Sequence, residues 1–222
     1  MEIKNEIPRK KRALGRPKGG STEVTKSNIL DAASMLFAKY NYSEVNIRMI
    51  AREAGITSAA IYNHYESKDE LFKQTVLRMM NNTRSMLSQV MGEGGHWKKR
   101  FEKILFGLGE DLKSSPGIQI LSSTTQIKMA RDPEKYEAMR EARTEIGQVF
   151  RTLVQEAVDN GDLPESTRVE IAGDLLMAFC FNAIGAVTLH WNSQDYMDSI
   201  VESFKNFTQL GLAEKPERKS GS

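Results

Sequence analysis

The sequence predicts an all-α protein, and three observations support this fold class. After the first 20 residues, apolar residues recur mostly at the spacing of one face of a helix. Ser, Thr and Asn stand where helices would begin, and Gly stands where several would end. No stretch alternates apolar and polar residues convincingly enough to predict a strand. With 222 residues, 40% of them hydrophobic and 27% charged, the chain can bury a core in one large domain or two small ones.

The first two predicted helices follow each other closely. Apolar residues from Thr25 to Tyr40 form one stripe and predict helix 1. Asn41 tolerates the left-handed backbone that closes a helix. Asn46 is a suitable N-cap for a short second helix, and Gly55 would end that helix.

A second short helix and a long helix follow. Thr57 can cap the third helix, and Ser67 with Glu70 forms a Ser-x-x-Glu capping box for a fourth, which runs towards Val90. Two short helices joined by a Gly-containing turn, with a longer helix before them, are typical of a helix-turn-helix. The second helix of such a motif lies in the DNA major groove with its N-terminal residues against base edges.

The third helix has side chains that suit this position. Residues 58–60 are small, which lets the backbone approach base edges, and an Ala methyl can contact a thymine methyl. Ile61 and Tyr65 are four residues apart and are predicted to point into the core. The side chains between them could reach phosphates or bases. An ordinary surface histidine is the alternative interpretation of His64.

The segment VNIRMIAREAGITSAAIYNHYESKDEL, residues 45–71, resembles the DNA-binding signature of the TetR family of transcriptional regulators. The resemblance extends from about Thr25 to Leu71. It rests on residues at the family spacing, which are Ile50, Ala51, Ala54, Gly55, Tyr62, His64, Tyr65, Ser67 and Lys68. The sequence departs from the pattern at Asn41, where Gly is commoner, and at Met49, where an acidic or polar residue is commoner.

The resemblance implies a fold and a function. The fold would be an N-terminal three-helix helix-turn-helix DNA-binding domain followed by a C-terminal helical ligand-binding and dimerisation domain, with about nine helices in all. The function would be that of a ligand-responsive regulator, usually a repressor, which binds a palindromic operator as a homodimer and is released by a small-molecule effector.

The resemblance also implies roles for individual residues. Asn46 would cap helix 2, Arg48 would approach the DNA backbone, and Thr57 would open the recognition helix. The implied base-reading residues are Ser58, Ala60 and Asn63, and the implied phosphate contacts are Tyr62, His64 and Lys68.

The N-terminal arm differs in charge from the rest of the chain. Seven Lys and Arg against two Glu give residues 1–20 a net charge of +5, so the remainder of a +2 chain carries −3. The arm is basic, rich in Gly and Pro and without apolar periodicity, and we expect it to be disordered when free. Arg16 and Lys18 are candidate DNA contacts, because an A·T-rich minor groove attracts arginine. A solubilising tail is the alternative.

Turn signals divide the chain beyond helix 4 into five further helices, near 97–113, 117–129, 133–160, 167–191 and 195–211. Asp132-Pro133 and Thr167 are predicted helix starts, and Asn160-Gly161 is a predicted stop. The predicted domains are a disordered basic arm over 1–22, a helix-turn-helix DNA-binding domain over 23–68, an effector-binding and dimerisation domain over 69–212, and a disordered tail over 213–222.

The segment 171–191 is apolar enough to be compared with a membrane span. It contains Asp174, Asn182 and His190, which would be costly in hydrocarbon. A helix buried in protein on several sides is therefore the preferred interpretation.

The faces of that apolar helix have predicted partners. The resemblance implies a homodimer through the last two helices. Leu176 and Cys180 would then face the partner while Met177 and Phe181 face the ligand domain, or the reverse. Cys180 is the lone cysteine, which excludes a disulfide framework and suits core packing in a reducing, cytoplasmic compartment.

An effector site is implied by the resemblance. The candidate lining residues are apolar and belong to helices that would surround a cavity: Met86, Phe101, Leu105, Leu108, Ile118, Leu121, Met139, Met177 and Phe181. Methionine walls adapt to their contents, so we expect a small, moderately apolar effector. Plain core packing is the alternative for each of these residues.

Other classes of protein are less well supported by the sequence. It contains no Gly-x-Ser-x-Gly motif and no Gly-rich loop followed by Lys-Ser/Thr, and its histidines lack ligand-spaced partners for a metal. We therefore expect no enzyme activity, no metal and no cofactor. An architectural DNA-binding protein without an effector is the main alternative, and an all-helical enzyme or ligand carrier is a less favoured one.

Overall fold

The computed structural model describes residues 22–114 and 118–189, with two isolated positions at 199 and 202; side-chain surroundings are described over 22–109 and 124–181. Eight helices lie in these ranges: α1 Thr22–Lys39, α2 Ile47–Glu53, α3 Ser58–Tyr62, α4 Lys68–Gly92, α5 Trp97–Ser114, α6 Ile118–Arg131, α7 Glu137–Asp159 and α8 Val169–Leu189. The described residues contain no strand, so the all-α prediction is confirmed. The arm with Arg16 and Lys18, the tail and most of the ninth predicted helix lie outside them.

The three predicted N-caps of the helix-turn-helix region are confirmed. The side-chain oxygens of Asn46, Thr57 and Ser67 each accept a hydrogen bond of 3.1 Å from the backbone N–H three residues further on. At the other end of α2, Gly55 has a φ of +68°, a conformation that costs glycine little. The Ile56 N–H then donates back into the last turn of α2, which ends the helix in a Schellman motif.

Only half of the capping box predicted for α4 forms. The Glu70 carboxylate does not return to the N-cap, because it pairs with Lys73 at 2.8 Å and accepts from the Gln74 amide at 2.9 Å. Both partners lie on the same helix one turn further on.

The helix starts predicted in the second half of the chain are displaced. α7 begins at Glu137 and not near Pro133, while Asp132 accepts from a backbone N–H and closes a turn before the helix. Tyr136 ends this turn and is only 4% exposed, so its burial in the core sets the start of α7. α8 begins at Val169, two residues after Thr167.

Two clusters of buried side chains hold the helices together. The first cluster joins α1, α2, α3, the start of α4 and the region between α6 and α7, and includes Phe37, Ile50, Ile61, Phe72, Met129, Tyr136 and Met139. The second cluster joins the end of α4 to α5, α7 and α8, and includes Leu87, Phe101, Leu105, Phe150, Met177 and Cys180. α4 belongs to both clusters, and the first cluster extends well beyond the domain boundary predicted near residue 68.

α8 packs against α7 and α5. Cys180 is completely buried in the second cluster, which confirms core packing, and burial raises the pKa of its thiol. Neither α8 nor any other helix in the described ranges has an apolar stretch long enough to cross a membrane.

α8 approaches α7 closely at Gly173. A Cβ added to this residue would lie 2.8 Å from Cα and 2.9 Å from N of Arg151. Because these are backbone atoms of a packed helix, they cannot move aside without displacing α7. Glycine therefore fixes the distance between the two helices.

We predict that Gly173→Ala lowers the free energy of unfolding by about 1–3 kcal/mol, since it overpacks this helix crossing. Gly92→Ala is the matched control, because a Cβ at Gly92 would contact nothing within 4 Å. Chemical denaturation followed by circular dichroism measures both variants. Equal stabilities for the two variants would contradict the proposed close approach.

Candidate functional site

The recognition helix α3 is anchored on one side and exposed on the other. Ile61 is fully buried and Tyr65 is 7% exposed, as predicted for side chains that point into the core. Tyr62, between them, is 56% exposed. The fold thus holds the helix against the first cluster and leaves its outer face open.

Seven other predicted DNA contacts lie on α2, α3 and the turns beside them, which pack together. Asn46, Arg48, Thr57 and Asn63 are exposed, whereas Ser58, Ala60 and His64 are half-buried. His64 lies 6.5 Å from the ring of Tyr65 and borders a polar depression with Glu23 and Lys26 of α1. The ring of His64 is therefore less exposed than that of Tyr62.

Lys68 has a different role from the phosphate anchor that its position implied. Its ammonium donates to the backbone carbonyls of Tyr42 and Val45, each at 2.9 Å, and lies 4.3 Å from the centre of the Tyr42 ring. Burial and the nearby charge of Lys128 lower the pKa of Lys68. The side chain attaches the start of α4 to the loop between α1 and α2, and we remove it from the proposed DNA contacts.

Met49, where the family pattern has a polar residue, is also explained by packing. Its side chain is half-buried against the first cluster. Met49 therefore adds to the apolar surface by which α2 packs against the first cluster.

A charged cluster that the sequence did not reveal surrounds Asp69, the second residue of α4. Its carboxylate accepts hydrogen bonds from the hydroxyls of Tyr42 at 3.0 Å and Tyr136 at 2.8 Å. It also pairs with Lys128 of α6 at 2.8 Å and with Lys135 at 2.9 Å. We call these five residues the Asp69 cluster. It joins the helix-turn-helix region, α4, α6 and the turn before α7.

The electrostatics of the Asp69 cluster favour its charged carboxylate. Burial alone would raise the pKa of Asp69, but hydrogen bonds from Lys128, Lys135 and Tyr136 outweigh it and hold the pKa well below its usual range. Burial, together with Asp69, raises the pKa of both Tyr42 and Tyr136, which therefore stay protonated as donors. The Lys128 ammonium also lies 3.8 Å from the centre of the Tyr42 ring, a cation–π contact.

A cavity of about 70 Å³ lies farther along α4, between that helix and α6, α7 and α8. Its apolar wall is formed by Val76, Met79, Met80, Met129, Ile146, Met177 and Phe181, and its polar groups belong to Thr83, Thr125, Gln126 and Arg143. Pockets that enclose drug-sized ligands measure about 300–1,000 Å³. The space present therefore suits a small ligand, or a larger one if the methionine walls move.

The cavity differs from the one predicted from sequence. Of the predicted lining residues, only Met177 and Phe181 border it. Phe101, Leu105, Leu108 and Met139 are instead buried in packed core, and Met86 is half-buried against the second cluster. The side chains of Ile118 and Leu121 lie outside the described residues. Helical spacing and residue type are the same for side chains that pack in the core and for side chains that line a cavity. Met79, Met80 and Arg143 could therefore not be identified from the sequence as lining residues.

The predicted partner face of α8 is corrected in the same way. Cys180 is fully buried and cannot face a second subunit, whereas Leu176 is half-buried against the second cluster. Over the part of α8 with described side chains, the exposed large apolar residues are Ile171 (50%), Leu175 (66%) and Phe179 (37%), spaced four residues apart on one face.

Comparisons with known proteins agree with this architecture. Residues 29–75 match the family model described as bacterial regulatory proteins, tetR family. The chain is 20% identical over 183 residues to the HTH-type transcriptional repressor KstR2 of Rhodococcus jostii (strain RHA1), covering 80% of this chain and 89% of that protein.

Two solved structures have the same fold. The fatty acid degradation regulator FadR from Bacillus halodurans has a TM-score of 0.71 at 15% identity, covering 89% of this chain and all of that one. FadR from Bacillus subtilis, in complex with stearoyl-CoA, has a TM-score of 0.66 at 16% identity, covering 79% of this chain and 95% of that one.

A helix-turn-helix joined by one long helix to a helical domain with a cavity defines a ligand-responsive, DNA-binding transcriptional regulator. The helix-turn-helix region of the chain, residues 29–75, is that of the tetR family of bacterial regulatory proteins. Its relatives regulate transcription, and its function is regulation rather than catalysis.

We predict that Asp69→Asn lowers the free energy of unfolding by about 2 kcal/mol at neutral pH, because charge-assisted hydrogen bonds are lost. The folded-state pKa of Asp69 is depressed. Its stabilisation is therefore fully present above the unfolded pKa of about 4 and is lost as the pH falls below it. The variant should show a shallower loss of stability on acidification.

Denaturation at a series of pH values measures this effect. Glu145→Gln is the control, because Glu145 lies outside the cluster and pairs with Arg84 at an exposed site, where an ion pair should contribute little. An Asp69→Asn variant that matches the wild type at every pH would show that the cluster does not stabilise the fold.

Proposed function

We propose that this regulator binds a palindromic operator as a homodimer, with α3 of each subunit in the major groove, and that a small, moderately apolar effector in the cavity releases it. One observation supports the mechanism above all: α4 takes part in both clusters and also borders the cavity. We further propose repression as its mode, in keeping with the name of the relative KstR2.

The proposed coupling uses α4 as a rigid element. Its first turns hold Leu71 and Phe72 in the first cluster, and its last turns hold Leu87 and Val90 in the second. The cavity wall on α4, Val76 to Thr83, lies between these ends. A ligand larger than the cavity has to push the walls apart, which would tilt α4 and change the spacing of the paired recognition helices.

The proposed DNA contacts follow from exposure and position. They are Asn46, Arg48, Thr57, Ser58, Ala60, Tyr62, Asn63 and His64, with Arg16 and Lys18 of the arm adding contacts to phosphate or the minor groove. Lys68 positions α4 and does not contact DNA in this proposal. We keep the domain limits predicted from the sequence as part of this proposal, with the Asp69 cluster joining the two domains.

We predict that Tyr62→Ala weakens binding to all DNA sequences alike, because a phosphate contact carries no sequence information. Asn63→Ala should instead change the preferred base, at a cost of roughly 1–3 kcal/mol for the matched operator. Titrations on a selected operator and on single-base variants separate the two effects. The control is Asn82→Ala, exposed on α4 about 20 Å from its first residue. An Asn63 variant with unaltered base preference would remove Asn63 from the readers.

The proposed dimer interface includes the exposed face of α8. Ile171 and Leu175 leave a large apolar surface in water that a second subunit would cover. A homodimer with twofold symmetry also places two recognition helices on successive major grooves of a palindrome, about 34–36 Å apart.

We predict that Leu175→Asp converts the dimer to a monomer and abolishes operator binding, because it places a charge in the centre of the interface. Ile127→Asp is the matched control, since Ile127 is 54% exposed on α6 and away from α8. Sedimentation velocity measures the assembly, and fluorescence anisotropy measures DNA binding. A Leu175→Asp variant that remains dimeric would exclude this face from the interface.

The cavity also supports a regulator over an architectural DNA-binding protein. An architectural protein has no need of a cavity against the helix that carries the recognition motif. The Bacillus subtilis structure, with stearoyl-CoA bound in the same fold, lends support to an effector of apolar character. Release by an effector implies reciprocity: DNA must weaken effector binding by the same factor.

A further inference from the structure

The cavity is bordered by an arginine that has no anionic partner among the described residues. Four arginines with described side chains are buried or half-buried. Three of them pair with carboxylates: Arg78 with Asp31, Arg100 with Glu156, and Arg151 with Asp174. Arg143 borders the cavity and pairs with no described residue. Because a guanidinium keeps its charge in proteins, this half-buried one brings a fixed positive charge to a largely apolar cavity.

A threonine on another helix that lines the cavity also lacks a hydrogen-bond partner. Thr125 of α6 is 2% exposed, and its hydroxyl makes no hydrogen bond. Elsewhere in the described helices, Thr75, Thr144 and Thr152 each donate to the carbonyl four residues before them. Thr125 does not use this common solution. Its buried hydroxyl therefore remains available as a donor to a molecule in the cavity.

The remaining cavity walls determine which kind of ligand can fit beside these two polar groups. Met79, Met80, Met129 and Met177 surround the space with flexible thioether side chains. No other charged side chain borders the cavity within the described residues. The lining thus combines one fixed positive charge, one unsatisfied hydroxyl and an adaptable apolar wall.

We propose that the effector is an apolar organic acid whose carboxylate is held by Arg143 and Thr125 and whose hydrocarbon part lies among the methionines. A carboxylate accepts two parallel hydrogen bonds from a guanidinium and can accept a further one from a hydroxyl. Desolvation of the acid is offset by the pairing, and the half-buried charge of Arg143 gains an anionic partner at the same time. This inference rests on the proposed function only in calling the ligand an effector.

The first test compares head groups on the wild-type protein. Isothermal titration with hexanoate, octanoate and decanoate, and with the alcohols and amines of the same length, measures whether the carboxylate is recognised. Octanoyl-CoA distinguishes a free acid from its thioester, which has no carboxylate at the same carbon. We expect the acids to bind roughly 10- to 100-fold more tightly than the matched alcohols, the range of a charge-assisted hydrogen bond. Equal affinities for acids and alcohols, or tighter binding of the thioester, would overturn the proposal.

The second test uses variants of the two polar residues. Arg143→Met and Thr125→Val keep the approximate size of each side chain and should remove the preference for acids over alcohols. Arg140→Met is the matched control, because Arg140 is exposed on the same helix. A control that loses the preference as strongly, or an Arg143→Met variant that keeps it, would contradict the assignment. If Arg143→Met does not fold, Thr125→Val and the head-group series still decide the question.

DNA binding is measured in parallel on an operator selected from random sequences. Each acid that binds should weaken operator affinity, and Arg143→Met should bind the operator as the wild type does but resist release. Acids that bind without weakening operator affinity would overturn their role as effectors. A chain that binds no operator at all would refute the proposed function, while the head-group preference would still test the cavity.

Discussion

The carboxylate of Asp69 is the interaction on which the arrangement of the two halves depends. It lies in the first turn of α4, where the helix dipole favours a negative charge. Through Tyr42, Tyr136 and Lys128 it joins the loop after α1 to α6 and to the turn before α7. Without these partners a half-buried carboxylate would be costly. With them, the recognition motif and the helical domain share one network.

The cavity and the Asp69 cluster lie on the same pair of helices. α6 carries Lys128 in the cluster and Thr125 in the cavity wall, less than one turn apart. α4 likewise carries Asp69 at its start and Met79 farther along. A ligand that displaces α6 therefore acts on the cluster directly. Displacement of α6 and tilting of α4 would therefore act together, because both affect the start of α4 beside the recognition motif.

The local features of the helix-turn-helix could be predicted from sequence, and the long-range ones could not. Asn46, Thr57 and Gly55 act on neighbours within a few residues, so their roles follow from residue type and spacing alone. Tyr136 and Asp69 are 67 residues apart, and no local pattern relates them. The same limit applies to the cavity, since a methionine has the same helical spacing whether it borders a space or packs against another side chain. The family resemblance implied a phosphate contact for Lys68 from its position, but its contacts with two backbone carbonyls are visible only in the fold.

The extent of the first cluster limits how parts of this protein can be combined with parts of other regulators in a chimera. Met129, Tyr136 and Met139 come from the second half of the chain and pack among residues of the first. A chimera cut near residue 68 would separate Phe72 and Asp69 from the residues that they pack against and pair with. Transplanting the recognition motif onto another sensor therefore requires an acceptor that supplies an equivalent tyrosine and lysine. The helix-turn-helix region of this chain can thus be transferred only together with the residues that join it to the helical domain.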